Sequence, residues 1–282
     1  MLFVISFVVS NTFILLSYTL RKCNLIASHN SRKMFHITFG LSQIIFWPLY
    51  PDDLTSRFLG TFNCLIYSFI FFVMGEGYCN GSLYEVLKVV LCRQNDHKEF
   101  LYGPLNYCVT ISVIALIFWR TYPPTIIGIS LLLCGDGMAE VIGKTIGKVK
   151  LKTPWGRIKT LEGSLAVFIF GGIGALIMCY IVFHKFFLFY TTFLALVGMV
   201  VEFYSIPEYD NVLIPLSSLC YQKYKNYILL IYQPKIFQKH CFVDVYCKAY
   251  FDISCLLDSK TQSFIFSNCK YSCQTMCCRF SN

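Results

Sequence analysis

The sequence predicts an all-α fold: a polytopic transmembrane helical bundle of about seven spans, followed by an irregular Cys-rich C-terminal tail. Three observations predict it. Of 282 residues, 56% are hydrophobic and only 14% charged, against about 25% charged in an ordinary soluble domain. The mean hydropathy is +0.59. The apolar residues come in long uncharged runs, and the basic residues are spread unevenly between them. This composition excludes a disordered chain, a collagen and a coiled coil, and it fits a soluble enzyme poorly.

The runs can be taken in order. Leu2–Leu20 is uncharged, and Met34–Tyr50 carries one ionisable group, His36. Phe58–Met74 and Pro104–Trp119 are uncharged, and Tyr122–Cys134 leads into Gly135 and Asp136. Gly163–Phe183 and Phe186–Val201 complete the set. Crossing a bilayer as a helix takes roughly 17–25 residues, so these runs have about the length of spans. Leu2–Leu20 lacks the positive n-region and short apolar core of a secretory signal. Either the chain inserts directly, or the sequence begins inside the mature protein.

Threading seven spans places thirteen basic residues on one side, among them Arg32, Lys33, Arg93, Lys144, Lys150, Arg157 and Lys159. Three fall on the other: Arg57, Arg120 and Lys185. Lys and Arg stay on the untranslocated side. The formal net charge of +9 therefore reads as orientation plus an anionic substrate, and nucleic acid is not suggested. By composition the chain divides into an N-terminal span and basic loop (1–33), a membrane domain (34–220) and the atypical tail (221–282). The tail shows no sustained periodicity and is read as disordered or as a gene-model artefact. Its Cys269, Cys273, Cys277 and Cys278 give a weak zinc signal, because no second pair accompanies them.

Charged groups at a membrane boundary are costly and tend to be functional. Four clusters qualify, all on the basic side. In the first, Asp136 and Glu140 stand four residues apart, on one face of a continuing helix. Two like charges so placed repel unless a cation sits between them, and Mg²⁺ prefers carboxylate oxygen. Gly135, Gly137, Gly143 and Gly147 leave room for a phosphate or for another helix. The second cluster runs from Lys148 to Ser164. Thr160 reads as a helix N-cap with Gly163 three residues on, and the free N–H groups of such a start suit an anion. Lys159 adds a point charge; the plain alternative is a basic loop with a cap. The third joins Glu202 to Asp210 and Asn211, either a completed metal shell or two helix ends. The fourth is Arg32 with His36 one turn on, either a phosphate contact or interfacial snorkelling.

These residues together resemble the phytol kinase and farnesol kinase family of polyprenol kinases, with dolichol kinase more distant. The resemblance covers about Arg32 to Pro215. It rests on Arg32-Lys33 with His36, Gly40-Leu41, Trp47-Pro48-Leu49, Glu99 to Tyr107, and Phe118-Trp119-Arg120. It continues through Gly135-Asp136-Gly137 with Gly143 and Gly147, Lys150-Leu151, Lys159 with Gly163-Ser164, Val201-Glu202, and Asp210-Asn211 with Pro215. It implies a CTP-dependent, Mg²⁺-requiring kinase of an isoprenoid alcohol such as phytol, farnesol or geranylgeraniol, acting at a lipid bilayer surface. The membrane implied is that of the plastid (chloroplast), with endoplasmic reticulum as the alternative.

By carry-over Asp136, Glu140 and Asp210 are catalytic, and Asp136 with Glu140 holds the metal. Gly135, Gly137, Gly143, Lys144, Lys150, Lys159, Gly163 and Ser164 bind the nucleotide, supported by Arg32, His36, Glu202 and Asn211. The chain departs from the family pattern in Glu140 for Asp, in Lys144-Thr145 for an Arg pair, and in Tyr209 for an acid. Residues Gly143 to Ser164 also resemble phosphatidate cytidylyltransferase, which uses CTP and Mg²⁺ but attacks the α-phosphorus. A non-catalytic multispan or transport protein is the third reading; it requires a polar path through the midplane.

Overall fold

The structure is a computed structural model that describes residues 1–93, 96–206 and 209–231; over 223–231 it describes the helix backbone. Met1–Lys225 forms one compact unit. Of the second unit, Asn226–Asn282, the described residues are the helical stretch 226–231.

The fold is all-α apart from one small hairpin. Helix α1 is Leu2–Lys22, α2 Ser28–Ile44, α3 Leu54–Gly75 and α4 Ser82–Leu91. Helix α5 is Leu101–Phe118 and α6 Pro123–Thr145. Strands β1 (Lys150–Lys152) and β2 (Ile158–Thr160) pair antiparallel, Leu151 opposite Lys159. Helix α7 is Leu161–Phe183, α8 Leu188–Tyr204 and α9 Asp210–Ile231.

The helix ends follow local chemistry. Arg21 and Lys22 close α1, where cations complement the helix dipole. Asp53 caps α3 by accepting the Ser56 N–H at 2.6 Å. Helix α6 opens on Pro123 and Pro124, tolerated where no intrahelical N–H is needed. Thr160 caps α7 by accepting the Gly163 N–H at 3.2 Å, as the sequence predicts.

Among the described residues five helices, α1, α3, α5, α6 and α7, are long and apolar enough to cross a membrane. The expected count of seven is not reached on that measure. The run Met34–Tyr50 is divided: α2 ends at Ile44 and a tight 3₁₀ turn, Trp47–Leu49, follows. The run Phe186–Val201 forms α8, which is shorter. A second difference lies in the tail. Helix α9 continues to Ile231, into the stretch from 221 that lacks periodicity; a helix opened by acidic Asp210 and carried by Val212, Leu213, Ile214 and Leu216 propagates cheaply once nucleated. The remainder of the tail, with its four-Cys cluster, lies outside the described residues.

The bundle is apolar on its outside. Val4, Val8 and Leu15 of α1, Phe58, Phe69 and Phe72 of α3, and Ile169, Ile173 and Ile177 of α7 are exposed. Polar side chains are inside and link helices. The Ser10 and Ser42 hydroxyls lie 2.7 Å apart. Gln43 donates to Ser10 at 2.8 Å, and Asn63 donates to the Ser6 hydroxyl at 2.7 Å and to the Gln43 side-chain oxygen Oε1 at 3.1 Å. Such hydrogen bonds hold α1, α2 and α3 where lipid provides no hydrophobic drive between helices.

Helices α5, α6 and α7 each contain one wide π turn, at Leu101–Leu105, Leu131–Asp136 and Val167–Gly171. Those of α6 and α7 face each other. A Cβ added to Gly171 would lie 3.2 Å from the Gly135 Cα, so the two backbones nearly touch.

Candidate active site

One cavity of about 550 Å³ opens among α2, α5, α6, the hairpin, α7, α8 and α9. Seven cations line it: Arg32, Lys33, Arg93, Lys144, Lys150, Arg157 and Lys159. Four carboxylates face it, Asp136, Glu140, Glu202 and Asp210, leaving an excess of three positive charges. Every one of these cations belongs to the basic side of the expected topology. Arg57 and Arg120 are elsewhere. Arg120 donates to the Tyr50 carbonyl at 2.7 Å, beyond the far end of α5; α5 is about 27 Å long at 1.5 Å per residue.

Asp136 ends the wide turn of α6 and is buried. Its Oδ2 accepts from Lys33 Nζ of α2 at 2.7 Å, and the same ammonium donates to the Asp136 main-chain oxygen at 3.0 Å. His36, one turn along α2, lies 3.5 Å from that Oδ2 and bonds the Leu132 carbonyl through Nε2 at 3.0 Å. Tyr107 covers the ring and donates to the His36 main-chain oxygen at 2.6 Å. Glu140 is one turn beyond Asp136 and gathers cations. Arg93 and Lys144 each stand 2.6 Å from its Oε1, with Arg32 3.4 Å and Lys33 3.9 Å from Oε2. The expected metal pair is thus neutralised within the chain: the cation between the two carboxylates is the Lys33 ammonium.

On the opposite wall Lys159 donates to Glu202 Oε1 at 2.7 Å and also bonds the Glu202 main-chain oxygen. Strand alternation turns Lys159 inward. Asp210 opens α9, outside the five long apolar helices, and its Oδ1 accepts the Asn211 N–H at 2.9 Å. Burial, and next the nearby Asp136 carboxylate, push the Asp210 carboxyl above its ordinary value. Asn211 donates to the Gly103 carbonyl of α5 at 3.4 Å.

The structure brings most of the expected site residues to this cavity: Asp136, Glu140, Gly143, Lys144, Lys150, Lys159, Gly163, Ser164, Arg32, His36, Glu202, Asp210 and Asn211 all line it. Gly135 and Gly137 do not. Gly135 packs on Val167 of α7, and a Cβ on Gly137 would meet Ile37 of α2 at 2.4 Å. Both give room to a helix rather than to a phosphate. Gly143 and Gly163 line the cavity and also let α6 and α7 approach, since a Cβ on Gly163 would lie 2.9 Å from the Ala139 carbonyl oxygen and 3.3 Å from the Gly143 Cα.

Lys33, Arg93 and Arg157 were not among the expected site residues. Lys33 sits in the basic doublet with Arg32, which is part of the family resemblance, and it is a charge entering an apolar run. Nothing local marks Arg93, which the segment just after α4 carries to Glu140 across 47 positions.

Among the described residues no three His, Cys, Asp or Glu side chains converge as a metal cage. Asp136, facing this cationic cavity, does fit Mg²⁺ carried on phosphates, which takes one or two carboxylates and keeps its remaining positions for phosphate and water.

The chain is similar to known proteins over much of its length. The chain is 31% identical over 161 residues to a probable chloroplastic phytol kinase 1 of Glycine max, covering 57% of this chain and 52% of that protein. It is 31% identical over 153 residues to the chloroplastic phytol kinase 1 of Arabidopsis thaliana, 54% of this chain and 49% of that one. A probable chloroplastic phytol kinase of Zea mays is 30% identical over 207 residues, 69% and 66%. The chain spans about half the length of most of the curated relatives it matches. No family model matches it, and no solved structure does.

Proposed function

The chain belongs to the phytol kinase family, and from that premise we propose that it transfers the terminal phosphoryl group of a nucleoside triphosphate, CTP, to the hydroxyl of an isoprenoid alcohol. The observation that carries this reading is the cavity with seven cations and four carboxylates, set at the basic end of helices whose outer faces suit lipid. Phosphoryl transfer asks a protein mainly for positioning and charge neutralisation, and this cavity offers both.

The step is an in-line displacement. The alcohol oxygen forms a bond to the γ-phosphorus, the bond to the β–γ bridging oxygen breaks, and the nucleoside diphosphate leaves. Lys33, Arg32, Arg93 and Lys144 on one wall, and Lys150, Arg157 and Lys159 on the other, neutralise the triphosphate. The N–H groups at the start of α7, beside Gly163 and Ser164, point their dipole at it. Asp210 takes the alcohol proton, a role suited to a carboxyl raised above its ordinary value. Glu202 holds Lys159 in place. Mg²⁺, arriving on the nucleotide, would be held by Asp136 and would supply charge neutralisation at the transferred phosphoryl group. An apolar alcohol approaches from the lipid while its hydroxyl meets the nucleotide at the surface. The membrane proposed is that of the chloroplast, since the relatives are named chloroplastic.

The test uses membranes from cells expressing residues 1–282, given CTP labelled at the γ- or the α-phosphate. Phytol, farnesol, geranylgeraniol and phosphatidic acid are offered in turn. Label passing from the γ-position to an alcohol establishes the kinase and ranks its substrates. Label passing from the α-position to phosphatidic acid establishes a cytidylyltransferase instead, and overturns this reading.

A further inference from the structure

We propose that Lys33 is the resident cation of the Asp136–Glu140 pair, and that it keeps bare divalent ions off these carboxylates until a nucleotide brings one in. The inference deepens the kinase reading and rests on it only for the last clause.

The geometry is specific. Lys33 reaches from α2 into the turn between the two acids. Its Nζ is 2.7 Å from Asp136 Oδ2 and 3.9 Å from Glu140 Oε2, and its third contact, at 3.0 Å, is the Asp136 main-chain oxygen. The side chain is only 6% exposed. An ammonium so buried is stable only when paired and hydrogen-bonded, so it does not leave the empty site for water. It occupies the position from which a divalent ion would reach both carboxylates. Glu140 is further blocked by Arg93 and Lys144 at 2.6 Å.

When a polyphosphate enters, the balance changes. Its negative oxygens offer Lys33, Arg93 and Lys144 alternative partners inside the same cavity. The ammonium can then turn from Asp136 to phosphate, and Asp136 becomes available to the ion riding on the nucleotide. Lys33 is in this sense a positioning residue for the metal, acting through Asp136. The cost of the arrangement is that the protein cannot hold its metal in advance; the benefit is that no bare ion can lock the acids before substrate arrives.

The experiment reads Mn²⁺ binding by electron paramagnetic resonance on purified protein in lipid nanodiscs, with no nucleotide. Wild type should show no stoichiometric bound Mn²⁺. Lys33→Met should gain one Mn²⁺ site, with affinity rising about tenfold or more because a unit charge within 4 Å is removed. Lys33→Arg, which keeps the cation, should behave as wild type. The double variant Lys33→Met with Asp136→Asn should lose the gained site. A stoichiometric Mn²⁺ in unliganded wild type overturns the proposal without any variant having to fold. So does a folded Lys33→Met or Lys33→Gln protein that gains nothing. A purely structural Lys33 would alter thermal stability and leave Mn²⁺ binding unmoved. Because no nucleotide is present, this outcome is separate from failure of the kinase reading, which the labelled-CTP assay decides.

Discussion

Lys33 and Asp136 are 103 positions apart in the chain, yet the ammonium of one lies 2.7 Å from the carboxylate of the other and bonds its main-chain oxygen as well. The contact ties α2 to the wide turn of α6. Both residues are buried, so removing the charge of one deprives the other of its nearest partner.

Asp136→Asn should reduce phosphoryl transfer by about a hundredfold or more, as expected for loss of a group that stabilises charge in a water-poor site. Insertion should survive, because the apolar runs direct it. Stability should fall, by about 3–5 kcal/mol for a broken buried pair. Membrane fractionation, transfer assay and thermal unfolding in detergent read the three effects separately. An Asn variant that keeps full transfer removes Asp136 from the mechanism.

Lys159→Ala should raise the apparent KM for nucleotide by about tenfold, a phosphate contact of roughly 1.4 kcal/mol, and leave that for alcohol nearly unchanged. It also frees Glu202 from its ammonium. Steady-state kinetics with each substrate varied in turn checks this. A larger effect on the alcohol would place Lys159 with the acceptor.

Gly163→Ala should destabilise the bundle by about 1–3 kcal/mol, the usual cost of overpacking. The new methyl would press on the Ala139 carbonyl and on Gly143, which are backbone and cannot rotate away as a side chain would. Helices α6 and α7 must separate. Thermal unfolding reports the loss, and a Gly163→Ala protein as stable as wild type would mean the crossing is looser than described.

Asp210 predicts the acid limb of the pH–rate profile. Its carboxyl is raised by burial and by Asp136, and the proposed role needs the ionised form. Activity should therefore fall as pH drops through a value above the ordinary carboxylate range. For stability the sign is opposite: a raised carboxyl takes up its proton more readily when folded, so this residue favours the fold at lower pH. Asp210→Asn should abolish the limb. A limb that persists in that variant belongs to another group.

The helical bundle was legible because uncharged runs of span length can do little else, and Thr160 was legible because capping is local chemistry. Asp136, Glu140 and Lys159 were found for the same reason, as charges at the edges of apolar runs. What could not be read was partnership. Spacing along α6 shows that Asp136 and Glu140 share a face, but the ion between them comes from α2, and Arg93 comes from the segment just after α4. Gly135 and Gly137 were misplaced because a glycine's lack of side chain serves a neighbouring helix as well as a phosphate. Met34–Tyr50 divides into a helix and a turn at Pro48, a local signal, while the stacking of Trp47 on Trp119, 4.9 Å between ring centroids, is a contact across 72 positions that no local pattern shows.

The wide turn at Leu131–Asp136 also sets an angular phase. It accommodates one residue more than an ordinary turn, and each residue of an α-helix advances the side-chain direction by about 100°. Because the wide turn absorbs that residue, the side chains after it point as they would on a regular helix one residue shorter. Removing one residue from 131–135 would therefore restore regular winding and leave Glu140, Gly143 and Lys144 on the cavity wall. Removing one residue from 137–139, where the winding is already regular, would swing all three by roughly 100° and leave α6 a sound helix whose acidic and basic groups point at the wrong neighbours.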